Sequence, residues 1–164
     1  MSGDDFQERL RAAVDRGKRR AEAKADAARA AEMSEEDKRR MHTQYRLELS
    51  ELIERSINGI ADHFPGFRIE GIFGADGWGT ACYRDDLSIV RGRRENKYSR
   101  LEMMIRPYSD LGVLDLKAKG TVANGEVFNR AHYAAINEVD LDEFKHLIQT
   151  WAVQYAEMYA TKLG

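Results

Sequence analysis

Apolar residues recur along this chain with two different periods, and the change between them divides it. From Met41 to Phe64 they return at helical spacing: Met41, Tyr45, Leu49, Leu52, Ile53, Ile57, Ile60 and Phe64 fall on one face, with Leu47 off the stripe. Pro65-Gly66 closes that segment, because the residue before a proline resists the α region. From there to Ile136 the pattern alternates in twos, the period of a half-buried strand. Helical spacing then resumes. Leu141, Phe144, Ile148, Trp151, Ala152, Tyr155 and Tyr159 share an arc of about 100°, one buried stripe. Asp140 and Glu143 form a capping box at its start, and Val139 and Phe144 occupy hydrophobic-staple positions.

The alternating region predicts about six short antiparallel strands. Phe67, Ile69 and Phe73 mark the first and Trp78 to Arg84 the second, joined by the glycine-rich Gly74–Gly79 loop. Asp85-Asp86 reads as a turn, so Leu87 to Val90 is a third strand. Leu101, Met103 and Ile105 define the fourth, Leu114, Leu116 and Ala118 the fifth, and Val127 to Tyr133 the sixth. Matching apolar to apolar sets Ile89 opposite Leu101, Leu87 opposite Met103 and Ile105 opposite Leu114. Asn124-Gly125, suited to a type I′ turn, sets Val122 opposite Val127 and Ala118 opposite Ala131. The expected fold class is α+β: an antiparallel meander sheet with one helix before it and one after it, both packed on one face.

Residues 1–33 differ in character. They are rich in Ala, Arg, Lys, Glu and Asp, and their apolar stripe is thin: Phe6, Leu10 and Val14, then alanines. High helix propensity with little to bury predicts a helical arm that is solvated or partly disordered. Ser34-Glu35-Glu36-Asp37 reads as a new helix start, giving a single α+β domain over residues 34–164.

Charge refines the picture of the outer sheet face. The whole chain carries −2 over 164 residues, so no global attraction to nucleic acid or anionic membrane follows. Locally, Arg84 to Arg106 holds seven basic and four acidic residues, a net of +3. The expected registers place Arg100, Lys119 and Arg130 in one row. Arg91, Arg93, Arg94 and Lys97 lie at the nearby hairpin end, and all but Lys97 join that row as anion-binding candidates. Like charges directly opposite each other weaken a sheet, so such a row would face something negative. Tyr98, Tyr108 or Phe128 would stack on bases there if exposed.

The same registers gather Glu102, Lys117 and His132 on that face, with Asp115. An acidic residue followed on the next strand by Asp115-Leu116-Lys117 is similar to the core of the PD-(D/E)xK nucleases. That resemblance covers Glu102 to Lys117 and implies a divalent metal held by two carboxylates, with a lysine beside the attacking water. The family's usual helix after the second carboxylate-bearing strand is missing from the pattern. The plain alternative is a cross-strand Glu102–Lys117 ion pair.

Cys82 is the only cysteine, so no intrachain disulfide forms, and no Cys/His spacing suits zinc. No cofactor is called for, and no set of catalytic groups stands at readable spacing. With no apolar leader and no long apolar run, the expectation is a cytoplasmic protein without membrane contact. The favoured reading is a non-catalytic interaction module that binds a protein partner or itself, through the arm or a sheet edge. The alternatives are nucleic-acid or acidic-partner binding through the basic face, and metal-dependent hydrolysis.

Overall fold

The structure, a computed structural model, describes residues 2–163. Helix α1 (Ser2–His63) is followed by strands β1 (Arg68–Gly74), β2 (Gly77–Val90), β3 (Arg93–Ile105), β4 (Val113–Val122) and β5 (Gly125–Ala135), a 3₁₀ turn over Ile136–Glu138, and helix α2 (Leu141–Leu163). The class is α+β, with five antiparallel strands in the order β1-β2-β3-β4-β5. Among the described residues, no helix is long and apolar enough to cross a membrane.

The chain divides into two compact units, Met1–Lys38 and Arg39–Gly164. In the first, residues 3–30 are exposed throughout, including Phe6, Leu10 and Val14. The helix does not restart at Ser34. No glycine or proline lies between Gly17 and Gly59, so nothing in that stretch breaks the backbone ladder.

In the second unit the expected stripes are the core. Leu49, Leu52, Ile53, Ile57 and Ile60 of α1 are buried in one cluster with Phe144, Ile148, Trp151, Tyr155 and Tyr159 of α2. Cys82, Leu101, Met103, Ile105, Leu114, Leu116, Ala118 and Val122 supply its sheet side. Asp140 caps α2 as expected, its carboxylate accepting from the Glu143 amide at 3.3 Å. The Tyr155 hydroxyl donates to the Thr121 carbonyl at 2.8 Å, and burial raises its pKa.

The sheet has five strands because Asp85-Asp86 is not a turn. Both residues stay in the β2–β3 ladder, opposite Tyr98 and Lys97. The Asp86 carboxylate accepts from Arg84 Nε at 2.5 Å and from the Tyr159 hydroxyl at 3.2 Å, so the Asp86 charge is matched in place. Arg84 also donates to the Pro65 carbonyl at 2.7 Å, tying β2 to the end of α1.

Three registers differ from those expected. β2 and β3 are joined by a two-residue turn at Arg91-Gly92, both at positive φ (53° and 76°), the geometry of a type I′ turn. Leu87 and Ile89 therefore face Asn96 and Arg94, and Leu101 and Met103 face Cys82 and Thr80. β3 and β4 are offset by two residues, with Ile105 opposite Leu116 and Glu102 opposite Lys119, which keeps every side chain on its expected face. β4 and β5 turn at Ala123-Asn124 (φ 49° and 71°), and a bulge follows at Gly120/Thr121, where Val127 is the extra residue. Asn124 is fixed there by β3: its side-chain oxygen accepts from the Tyr98 amide at 2.8 Å, and its own amide donates to the Asn96 carbonyl at 3.0 Å. The extra residue reverses the faces of β5 beyond it.

Candidate interaction surfaces

That reversal dissolves the expected cationic row. Arg130 and His132 lie on the helix-covered side of β5, with buried Phe128. Arg130 is hydrogen-bonded to Gln154 of α2, and its guanidinium sits 4.9 Å from the Phe128 ring centre. The His132 ring packs edge-on against Phe144 at 4.7 Å, with Nε2 3.5 Å from a Glu143 oxygen. Phe128 meets Tyr155 and is closed to a base. Tyr108 lies against His42 and Arg39.

On the outer face, Arg100 lies opposite Thr121 rather than Lys119. It donates to Glu70 at 2.9 Å and to Glu102 at 3.3 Å, so its charge is already matched by two carboxylates. Burial opposes the Arg100 cation, but its bonds to Glu70 and Tyr98 and the nearby Glu102 outweigh that and raise its pKa. Glu70, Arg100, Glu102, Lys119, Met104 and Arg106 line a groove of about 550 Å³ with mixed charge.

The nuclease-like residues do not converge. Glu102 pairs across from Lys119, whereas Asp115 is bonded through its carbonyl to the Arg106 amide at 2.9 Å. Arg106 lies four residues along the extended chain from Glu102, about 13 Å. Lys117 faces Met104. Among the described residues, no three His, Cys, Asp or Glu side chains are grouped to hold a metal ion. Asp115 has one carboxylate oxygen buried without a hydrogen-bond partner.

Among the described residues of this unit, three apolar surfaces stand out. A groove of about 580 Å³ runs between α1 and α2, lined by Gly59, Ile60, Phe64, Ala152, Val153 and Ala156. A second, of about 490 Å³, lies where edge strand β1 meets α1. It holds Leu47, Ile69, Phe73 and Trp78, and Phe73 is 79% exposed. The third is the β2–β3 ribbon, whose Leu87 and Ile89 are exposed. Alternation placed Leu87 and Ile89 on the apolar face of their strand and Phe73 among the apolar positions of the first; the longer β2–β3 ladder instead puts Leu87 and Ile89 on the outer face with Tyr83 and Arg100, and Phe73 is left exposed. The off-stripe position of Leu47 was the one signal of an open patch.

Compared with protein-family models, curated proteins and solved structures, the chain matches none.

Proposed function

We propose that this chain is a non-catalytic interaction module that self-associates through the edge of β1. The observation that carries the reading is the exposure of Phe73 on an edge strand, next to Ile69 and Leu47. β1 pairs only with β2, so the backbone groups on its other side are open to a further strand. Its sequence, Arg68-Ile69-Glu70-Gly71-Ile72-Phe73-Gly74, suits a second copy of itself. Antiparallel pairing about a two-fold axis at Gly71 sets Ile69 of one copy opposite Phe73 of the other, twice, on the side carrying Leu47. Aromatic–aliphatic cross-strand pairs of this kind stabilise sheets. Glycine at the axis leaves room for the two backbones to meet.

A fully buried phenylalanine is worth about 2–3 kcal/mol, so covering both copies of Phe73 contributes about 4 kcal/mol to association. Sedimentation velocity across a concentration series tests this. The wild type is expected to sediment as a dimer. Phe73→Asp is expected to weaken it by at least about 100-fold, each 1.4 kcal/mol being a factor of ten. Because the Phe73 side chain is exposed in the monomer, the variant should keep its thermal midpoint at low concentration. A monomeric wild type, or a Phe73→Asp protein that remains dimeric, refutes the reading. Cys82 is a buried thiol whose pKa burial pushes up to about 11, which leaves it inert.

A further inference from the structure

The β2–β3 hairpin is longer than its sheet. β1 pairs with β2 only as far as Tyr83, and β4 pairs with β3 only from Arg100 onward. Leu87–Val90 and Arg93–Asn96 therefore form a two-stranded ribbon with no strand on either side. Its two faces differ. One carries Leu87 and Ile89 opposite Asn96 and Arg94, and holds no acid beyond Asp85. The other carries Ser88 and Val90 opposite Glu95 and Arg93. Arg91 stands at the turn. Arg91, Arg93 and Arg94 are exposed, and no guanidinium among them has a hydrogen-bond or ion-pair partner among the described residues. Elsewhere in or beside the sheet, Arg84, Arg100, Arg106 and Arg130 are each engaged, while Arg68 stands exposed on β1.

We propose that this ribbon enters the major groove of double-stranded DNA. The groove is about 12 Å wide and 8.5 Å deep and admits a two-stranded β-ribbon. Two strands about 4.8 Å apart with their side chains fill that width. The face with Arg94, Asn96, Leu87 and Ile89 bears the side-chain types that suit this groove: a guanidinium for guanine, an amide for adenine, and aliphatic groups for thymine methyls. Arg91 at the turn and Arg93 on the opposite face are set to meet the flanking phosphates. Duplex RNA is excluded by its narrow, deep major groove. A membrane-inserting hairpin would carry aliphatic residues at its turn, whereas this turn is Arg91-Gly92.

The test is fluorescence anisotropy of the full chain with a labelled mixed-sequence DNA duplex, an equal-length RNA duplex and anionic phospholipid vesicles as separate probes. DNA binding is expected to weaken about 12-fold between about 50 and 200 mM salt, as two phosphate contacts require. Arg93→Ala with Arg94→Ala should lower the affinity at least about tenfold and make the salt dependence shallower. Leu87→Ser with Ile89→Ser should reduce affinity with the salt slope unchanged. All four side chains lie outside the core, so thermal midpoints should match the wild type. Failure of the wild type to bind DNA at low salt overturns the proposal. So does unchanged binding by the double arginine variant, or binding to vesicles or RNA duplex in preference to DNA. Neither result bears on pairing at β1, at the sheet's edge.

Discussion

Gly79 tests the packing of the sheet most directly. It lies on β2 opposite Met104, between β1 on one side and β3 on the other. A Cβ placed there would stand 1.9 Å from the Met103 carbonyl oxygen, 2.6 Å from Met104 Cα and 2.8 Å from the Met103 carbonyl carbon. These are backbone atoms, so no side chain can rotate to make room. Ordinary contact needs about 3.5 Å, and Gly79→Ala must therefore move β2 and β3 apart locally by about 1.5 Å. Overpacking in a tight site costs about 1–3 kcal/mol, and two stretched ladder bonds add about 1 kcal/mol each. The expected loss is about 3–5 kcal/mol, out of a typical domain stability of 5–15 kcal/mol. In urea, with a slope of about 2 kcal/mol per molar, the unfolding midpoint should fall by about 2 M. Gly120→Ala is the comparison. There the neighbours are the Tyr155 and Phe128 rings at 3.0–3.2 Å, which can shift by a few tenths of an ångström. It should lose no more than about 1–2 kcal/mol. A Gly79→Ala midpoint within about 0.5 M of wild type, or one above that of Gly120→Ala, refutes the close approach of β2 to β3.

Two further outcomes follow from single side chains. His42 is buried, with Nε2 unpartnered; burial lowers its pKa, a hydrogen bond to the Arg106 backbone partly offsets this, and Arg46 adds a downward push. The unfolded imidazole takes up its proton near pH 6.5 while the folded one resists. Its contribution is therefore complete above that pH and is lost as pH falls below it, by at most about 1.4 kcal/mol per unit. His42→Gln should flatten the drop in urea midpoint between about pH 7 and 5.5; an unchanged pH slope speaks against this assignment. Asn124→Ala removes two side-chain bonds to β3 and leaves alanine at φ 71°, so it should cost about 2–4 kcal/mol, read as a lower thermal midpoint; a shift near zero means the turn is held by other contacts.

The contrast among the candidate residues is instructive. Arg100 and Lys119 were expected on the outer face and lie there, because β3 and β4 slipped by two residues and an even slip preserves the face. Arg130 and His132 were expected beside them and lie on the opposite side, because one extra residue at Val127 reversed the alternation. Even the shared face did not yield an anion site, since Glu70 on β1 claims Arg100 from a distance no local pattern encodes.

Local regularities were within the reach of the sequence alone: the stripes of α1 and α2, the Asp140 cap, and the buried sides of β3 and β4. Each depends on residues a few positions apart, where helix and strand periods act directly. Tertiary structure decided what depends on neighbours far along the chain. It helped keep Asp85-Asp86 extended by bringing Tyr159 to Asp86, and it held the Asn124 turn with bonds from β3. It also left Phe73, Leu87 and Ile89 uncovered. Alternation in twos says that a residue points to one side of a strand. Whether that side meets a helix, solvent or a partner depends on which elements remain to cover it, and only the assembled fold sets that.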